Sequence, residues 1–216
     1  MMQLTDLNGL LLVILAIGIL PFVAMVVTSY TKIVVVLGLV RNALGVQQVP
    51  PTMVLNGIAM IVSCYVMAPI GMSALHNMQA EPTAQQSTAA VIQIASAARE
   101  PFRQFLQKHT REREKFFFLR SAAAVWPKAE AEQLKANDLI ILAPAFALTE
   151  LTDAFKIGFL LYIAFVLVDI IIANVLMAMG LNQVNPTNIA IPFKLLLFVV
   201  MDGWSVLIHG LVLTYR

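Results

Sequence analysis

The chain has 216 residues, of which 60% are hydrophobic and 12% charged, with a formal net charge of +2. Soluble domains carry roughly 45–50% apolar and about 25% charged residues, so the composition excludes an ordinary soluble domain in favour of a membrane protein or a subunit of a large apolar assembly. There is no basic run of the kind that binds nucleic acid.

The first apolar segment runs from about Leu7 to Tyr30 without a charge and contains Pro21. Asp6 is the only charge ahead of it and no A-x-A site follows, so it reads as a retained helix rather than a cleaved signal. Lys32 comes next, then the apolar stretch Ile33 to Val40, then Arg41. The second segment runs from about Met53 to Leu75, with Pro69 near its end. It holds Cys64, which reads as a small buried residue; one cysteine permits no intrachain disulfide. Pro21, Gly38 and Pro69 are expected to interrupt helices. Broken helices at membrane depth are tolerated only where neighbours or water satisfy the freed backbone.

The stretch from His76 to Lys156 differs. It holds ten of the fourteen Lys/Arg and nine of the twelve Asp/Glu. Ala84 to Ala98 reads as helix, and so does Phe102 to Val125, which Trp126-Pro127 ends because the residue before proline avoids the α region. The mixed charges at residues 111–115 read as a solvated helix face. Asn137-Asp138 suits the cap of a short apolar element, Leu139 to Leu142, expected to stop at Pro144.

The third segment, Ile157 to Gly180, carries Asp169, and the fourth, Ile189 to Leu213, carries Lys194 and Asp202. Each of the four segments reaches the ~20 residues that span a bilayer core. Lys32 and Arg41 bias the short loops inward, leaving both termini and the polar stretch outside.

Asp169, Lys194 and Asp202 would together cost roughly 7–10 kcal/mol facing lipid at mid-depth. With segments three and four folded as a hairpin about Val184–Asn185, Asp169 and Asp202 fall at similar depth. Lys194 lies about 12 Å along the axis from Asp202, too far to bond it. An isolated hairpin is therefore expected not to neutralise its own charges. Partners on other helices or subunits would answer them, or the charges would form an ion or proton relay. The relay gives a second functional class, a small ion-coupled transporter subunit using Asp169 and Asp202. Eleven methionines read as gap fillers, or as a soft constriction around something that passes.

There is no HExxH, CxxC, GxSxG, P-loop or GxGxxG, and His76, His109 and His209 lack metal-ligand spacing. No catalytic residue, metal site or cofactor is expected, and the protein reads as a non-enzyme.

Three stretches, RNALGVQQVPP (Arg41 to Pro51), PAFALTELTDAFKIGF (Pro144 to Phe159) and IPFKLLLFVVMDGW (Ile191 to Trp204), resemble the export-gate component of bacterial type III secretion, called SctR in virulence systems and FliP in flagella. The order of hydrophobic hairpin, polar insert and hydrophobic hairpin matches over nearly the whole chain. The resemblance implies an all-α fold of membrane-associated helical hairpins with a polar helical insert, assembling into a helical oligomeric export gate. Its parts would be a first hairpin (1–76), a polar periplasmic insert (77–156) and a second hairpin (157–216).

By the same resemblance, the protein would be one of five identical subunits in the inner membrane, joined by S-type and T-type export-apparatus partners. The assembly would be displaced towards the periplasm, and unfolded secreted proteins would pass through its centre. The hairpins would pack mostly on one another, with some contact to membrane lipid. RNALGVQQVPP favours the injectisome branch.

The family's methionine gasket maps onto Met177, Met179, Leu181, Asn182 and Gln183, where this chain is more polar. Lys32, Arg41, Asp169, Lys194 and Asp202 are the expected inter-subunit or buried charges. Ala164 stands where many members have proline, which implies a straighter third helix.

Overall fold

A computed structural model describes residues 11, 14, 15, 18, 19, 21, 23–79 and 88–216. All its regular structure is helical, and there is no strand among the described residues. The helices are α1 (Tyr30–Ala43), α2 (Thr52–Gln79), α3 (Thr88–His109), α4 (Glu112–Val125), α5 (Lys128–Ala131), α6 (Leu139–Ala178), α7 (Pro186–Val200) and α8 (Gly203–Leu213). The chain forms two compact units, one joining Met1–Thr31 with Cys64–Glu150, the other joining Lys32–Ser63 with Leu151–Arg216.

In the first unit, Phe105, Leu106, Leu142, Ala145 and Phe146 form the core, with the Phe105 and Phe146 rings 5.6 Å apart. The expected single helix from Phe102 to Val125 is two helices. Arg111 is extended (φ −69°, ψ 136°), and its N–H donates to Thr149 Oγ1 at 3.3 Å. A hydroxyl from α6 thus takes the donor that a continuous helix would have used internally. Trp126, also extended, ends α4 at Val125, where Trp126-Pro127 predicts the stop.

The charges at 111–115 are a solvated face only in part: Glu112 and Arg113 are exposed. Glu114 and Lys115 are buried, and Lys115 Nζ donates to Gln107 O (3.1 Å) and Glu112 Oε1 (2.7 Å). The exposed side of α4 also carries Phe116 and Phe117. Outside that core, Glu100 accepts from Arg103 and Gln104, and these bonds hold its carboxyl below the usual range.

Proline proves a weak breaker here. Pro69 and Gly38 lie inside α2 and α1, and Pro144 lies inside α6. Leu139–Ala178 runs as one helix of 40 residues, about 60 Å long. A proline in a helix interior removes one backbone bond and costs about 3 kcal/mol; Pro144 lies in the second turn, and the long apolar run that follows it to Ala178 carries the helix. Ala164 lies within this unbroken helix. Asp138 holds the N-cap position, with Ile141 and Leu142 donating to its carbonyl, while its carboxylate turns back to accept from Lys135 N at 2.7 Å.

The first apolar segment bends at residues 27–29, where Thr28 Oγ1 donates to Ala24 O and Thr31 Oγ1 to Met25 O, both at 2.7 Å. The rest of that expected helix, the neighbours of Pro21, and Ala84 to Ser87 of the alanine-rich helix lie outside the described residues. Cys64, expected to be buried, is exposed; its neighbour Ser63 takes the inner face of α2.

Among the described residues, α2, over Thr52–Asn77, and α6 are long and apolar enough to cross a membrane. The fourth segment is broken: α7 and α8 meet at 61°, and only as a bent pair do they reach spanning length.

Candidate functional site

The second unit is built on one face of α1. Ile33, Val36, Leu37, Val40, Ala43 and Leu44 recur at helical spacing and are all buried. α1 ends at Gly45, which takes the left-handed conformation (φ 77°) and donates its N–H to Asn42 O. A helix end leaves its last carbonyls without partners and carries partial negative charge. Lys194 of α7 answers both needs, donating from Nζ to Ala43 O at 3.2 Å and to Asp169 Oδ2 at 2.6 Å.

This geometry corrects the expectation that the hairpin leaves its charges unanswered. Lys194 and Asp169 neutralise each other across α6 and α7, and the C-terminus of α1 completes the ammonium's shell. Lys194 is 4% exposed, whereas the Asp169 side chain is 40% exposed. Asp169 Oδ1, by contrast, is shut off from solvent and accepts no hydrogen bond.

The other expected charges fall elsewhere. Lys32 is buried, with Nζ 4.2 Å from the Tyr215 ring centre and 3.5 Å from Thr214 Oγ1, so it ties α1 to the chain's end by a cation–π contact. Arg41 is half-buried; its guanidinium donates to Pro50 O (3.2 Å) and Thr52 Oγ1 (3.0 Å), fastening the loop to the start of α2.

Asp202 is not a mid-helix charge. It sits exposed at the α7–α8 break in the left-handed conformation (φ 50°, ψ 45°), without a side-chain capping bond. Asp169 is paired with Lys194 while Asp202 lies at the break, so the two carboxylates do not share the mid-helix setting that the transporter reading assumes. Asp tolerates the left-handed region better than most side chains. Asp202→Asn, which keeps that tolerance, is expected to change thermal stability by less than about 0.5 kcal/mol, whereas Asp202→Val is expected to cost about 1–2 kcal/mol. Melting curves of the two purified variants check this; equal losses would mean that the carboxylate charge matters at this position.

Gly203 makes the break possible. A Cβ there would lie 2.4 Å from the Phe198 ring, which instead packs edge-on against Trp204 at 5.1 Å and near Phe165 at 6.3 Å. Beside this cluster lies an apolar cavity of about 200 Å³.

Met177, Met179, Leu181, Asn182 and Gln183 gather at the C-terminal end of α6, and all are exposed. Gly180 (φ 73°) donates to Met177 O and Leu181 to Leu176 O, the double bond of a Schellman cap. Asn185 Oδ1 then caps α7 through Thr187 N at 3.0 Å.

Sequence reasoning missed the Ala43 carbonyl, the Lys32–Tyr215 contact and the role of Gly158, whose Cβ would collide with Leu39. The glycine alone signalled the last; no sequence signal marked the carbonyl.

The first and third quoted motifs therefore pack together within the second unit. Arg41 to Pro51 supplies a helix end and a pinned loop, and Ile191 covers Gly45, whose Cβ would lie 3.1 Å from Ile191 Cγ1. Comparison with known proteins agrees. The FliP family pattern matches residues 11–211. The chain is 67% identical over 217 aligned residues to the Hypersensitivity response secretion protein HrcR of Ralstonia nicotianae, covering all of both chains. It is 65% identical to the Pathogenicity-related ORF2 of Xanthomonas campestris pv. glycines, again over all of both. It is also 45% identical to the Yop proteins translocation protein R of Yersinia pestis, over all of this chain and 99% of that one. By the order of its motifs, its all-helical apolar fold and this full-length similarity, the chain belongs to the FliP family.

Proposed function

We propose that the protein is a core export-gate subunit of a virulence type III secretion apparatus in the bacterial inner membrane. The observation that carries this reading is the full-length similarity to a hypersensitivity-response secretion protein. The exposed apolar side chains along α6, including Phe159, Leu160, Leu167 and Ile171, support it, because a single chain leaves them without cover.

Five copies joined by S-type and T-type partners form the conduit for unfolded substrates. The assembly is displaced towards the periplasm, with the polar insert, residues 77–156, on that side. The role requires conduction rather than catalysis. Introducing this chain into a Ralstonia strain lacking HrcR is expected to restore effector secretion. Absence of secretion, with the chain present in the membrane, counts against the reading.

Met177, Met179, Leu181, Asn182 and Gln183 form the constriction in this account. Their exposure at one helix end suits side chains that close against neighbouring copies. Replacing residues 181–183 by methionine is expected to lower small-solute leak through reconstituted gates at least twofold. Unchanged leak places the seal on other residues.

A further inference from the structure

Helix α4 has its chemistry inside out. Glu114 and Lys115 are buried, at 8% and 2% exposure, while Phe116 and Phe117 are 49% and 55% exposed. Holding a lysine inside and two phenylalanines outside is unfavourable in water. The buried pair is satisfied within the protein: Lys115 bonds Gln107 O and Glu112, and Glu114 Oε1 lies 3.4 Å from Arg113 Nε. Among the described residues, the outward pair has the edge contact of Phe117 with Phe118 at 5.2 Å.

Arginines frame the rings. Arg113, with a side chain 91% exposed, and Arg120, also exposed, are seven residues apart on the same face, two helical turns or about 10 Å. Ala124 and Leu148 continue the apolar floor of a groove of about 790 Å³ along this face. Its one carboxylate, Glu114, lies beside Arg113, so Arg120 stays uncompensated within the groove.

We propose that this face of α4 docks on anionic phospholipid. Phe116 and Phe117 enter the boundary between headgroups and acyl chains, and the Arg113 and Arg120 guanidiniums meet lipid phosphates. Bidentate geometry suits guanidinium for phosphate, and paired aromatic and basic side chains are what an interfacial helix presents. The choice of lipid over an acidic protein rests on the two rings between the cations, which need an apolar medium as well as an anion. The proposal requires only that the chain resides in a membrane; it stands or falls separately from the secretion role.

The test uses the full chain in nanodiscs, with Phe117→Trp as the reporter in a Trp126→Phe, Trp204→Phe background. Phosphatidylcholine is mixed with increasing phosphatidylglycerol, and a shallow-brominated lipid serves as quencher. The expected result is quenching that grows with phosphatidylglycerol. Arg113→Gln and Arg120→Gln should each weaken the preference about fivefold, and together about 25-fold. A variant keeping only Trp204 shows that the protein remains folded. No quenching in any mixture, quenching indifferent to phosphatidylglycerol and the arginines, or shielding of the Phe117→Trp reporter only when partner proteins are added would each overturn the proposal.

Discussion

Asp169→Leu is expected to cost the second unit about 3–5 kcal/mol, and Lys194→Met only about 1–2 kcal/mol. The asymmetry follows from exposure. The lysine side chain is 5% exposed, so without Asp169 its ammonium keeps only the Ala43 carbonyl in a site closed to water. The aspartate side chain is 40% exposed, so without Lys194 the carboxylate can turn outward and be solvated. The double variant should recover most of the loss, since replacing both members of a buried pair by apolar groups is far milder than stranding one. Thermal melts of the four proteins in one detergent give the coupling. Equal single losses that simply add would show that the 2.6 Å contact does not hold the unit together.

Gly158→Ala carries the second large effect, and its sign is decided by two opposed magnitudes. Alanine in a helix interior gains about 1 kcal/mol over glycine. Against this, the new Cβ would lie 2.3 Å from Leu39 Cδ1 and 3.0 Å from Leu39 Cβ. Rotating the leucine clears the first contact but not the second, because Cβ is fixed to the backbone. α1 must move off α6, with an overpacking cost of about 1–3 kcal/mol, rising further for Gly158→Leu. Gly38, with nothing within 4 Å of its built Cβ, is the control. Gly38→Ala should stabilise and Gly158→Ala should destabilise in the same melting assay. Stabilisation by both would mean that the helices do not approach as closely as described.

Much of the fold is legible in the sequence because apolar length and periodicity are local signals. The body of α2, the stop at Trp126-Pro127 and the start of α6 at Asp138 all follow from such signals. What is not legible depends on neighbours. Pro144 marks a stop by local rules, yet α6 runs through it. Thr149 takes the N–H of Arg111 and splits a helix that the intervening residues would continue.

The charge pair is the instructive case. Counting from the hairpin tip sets Asp169 level with Asp202, but the connection is lopsided. α6 ends at Ala178 and α7 begins at Pro186, so Asp169 lies nine residues before one helix end (178 − 169) and Lys194 eight after the other (194 − 186). Measured from the helix ends, lysine and aspartate share a level, and Asp202 falls at a break. The Met-Asp-Gly-Trp sequence carried that break in plain sight, since aspartate then glycine is a pair that tolerates a left-handed residue and a close ring.

The gate account rests on assembly, and the most direct measurement is the mass of the protein purified in mild detergent, alone and co-expressed with S-type and T-type partners. The account predicts a particle several times the 23.7 kDa of one chain, tighter when the partners are present. A stable monomer under both conditions would contradict it.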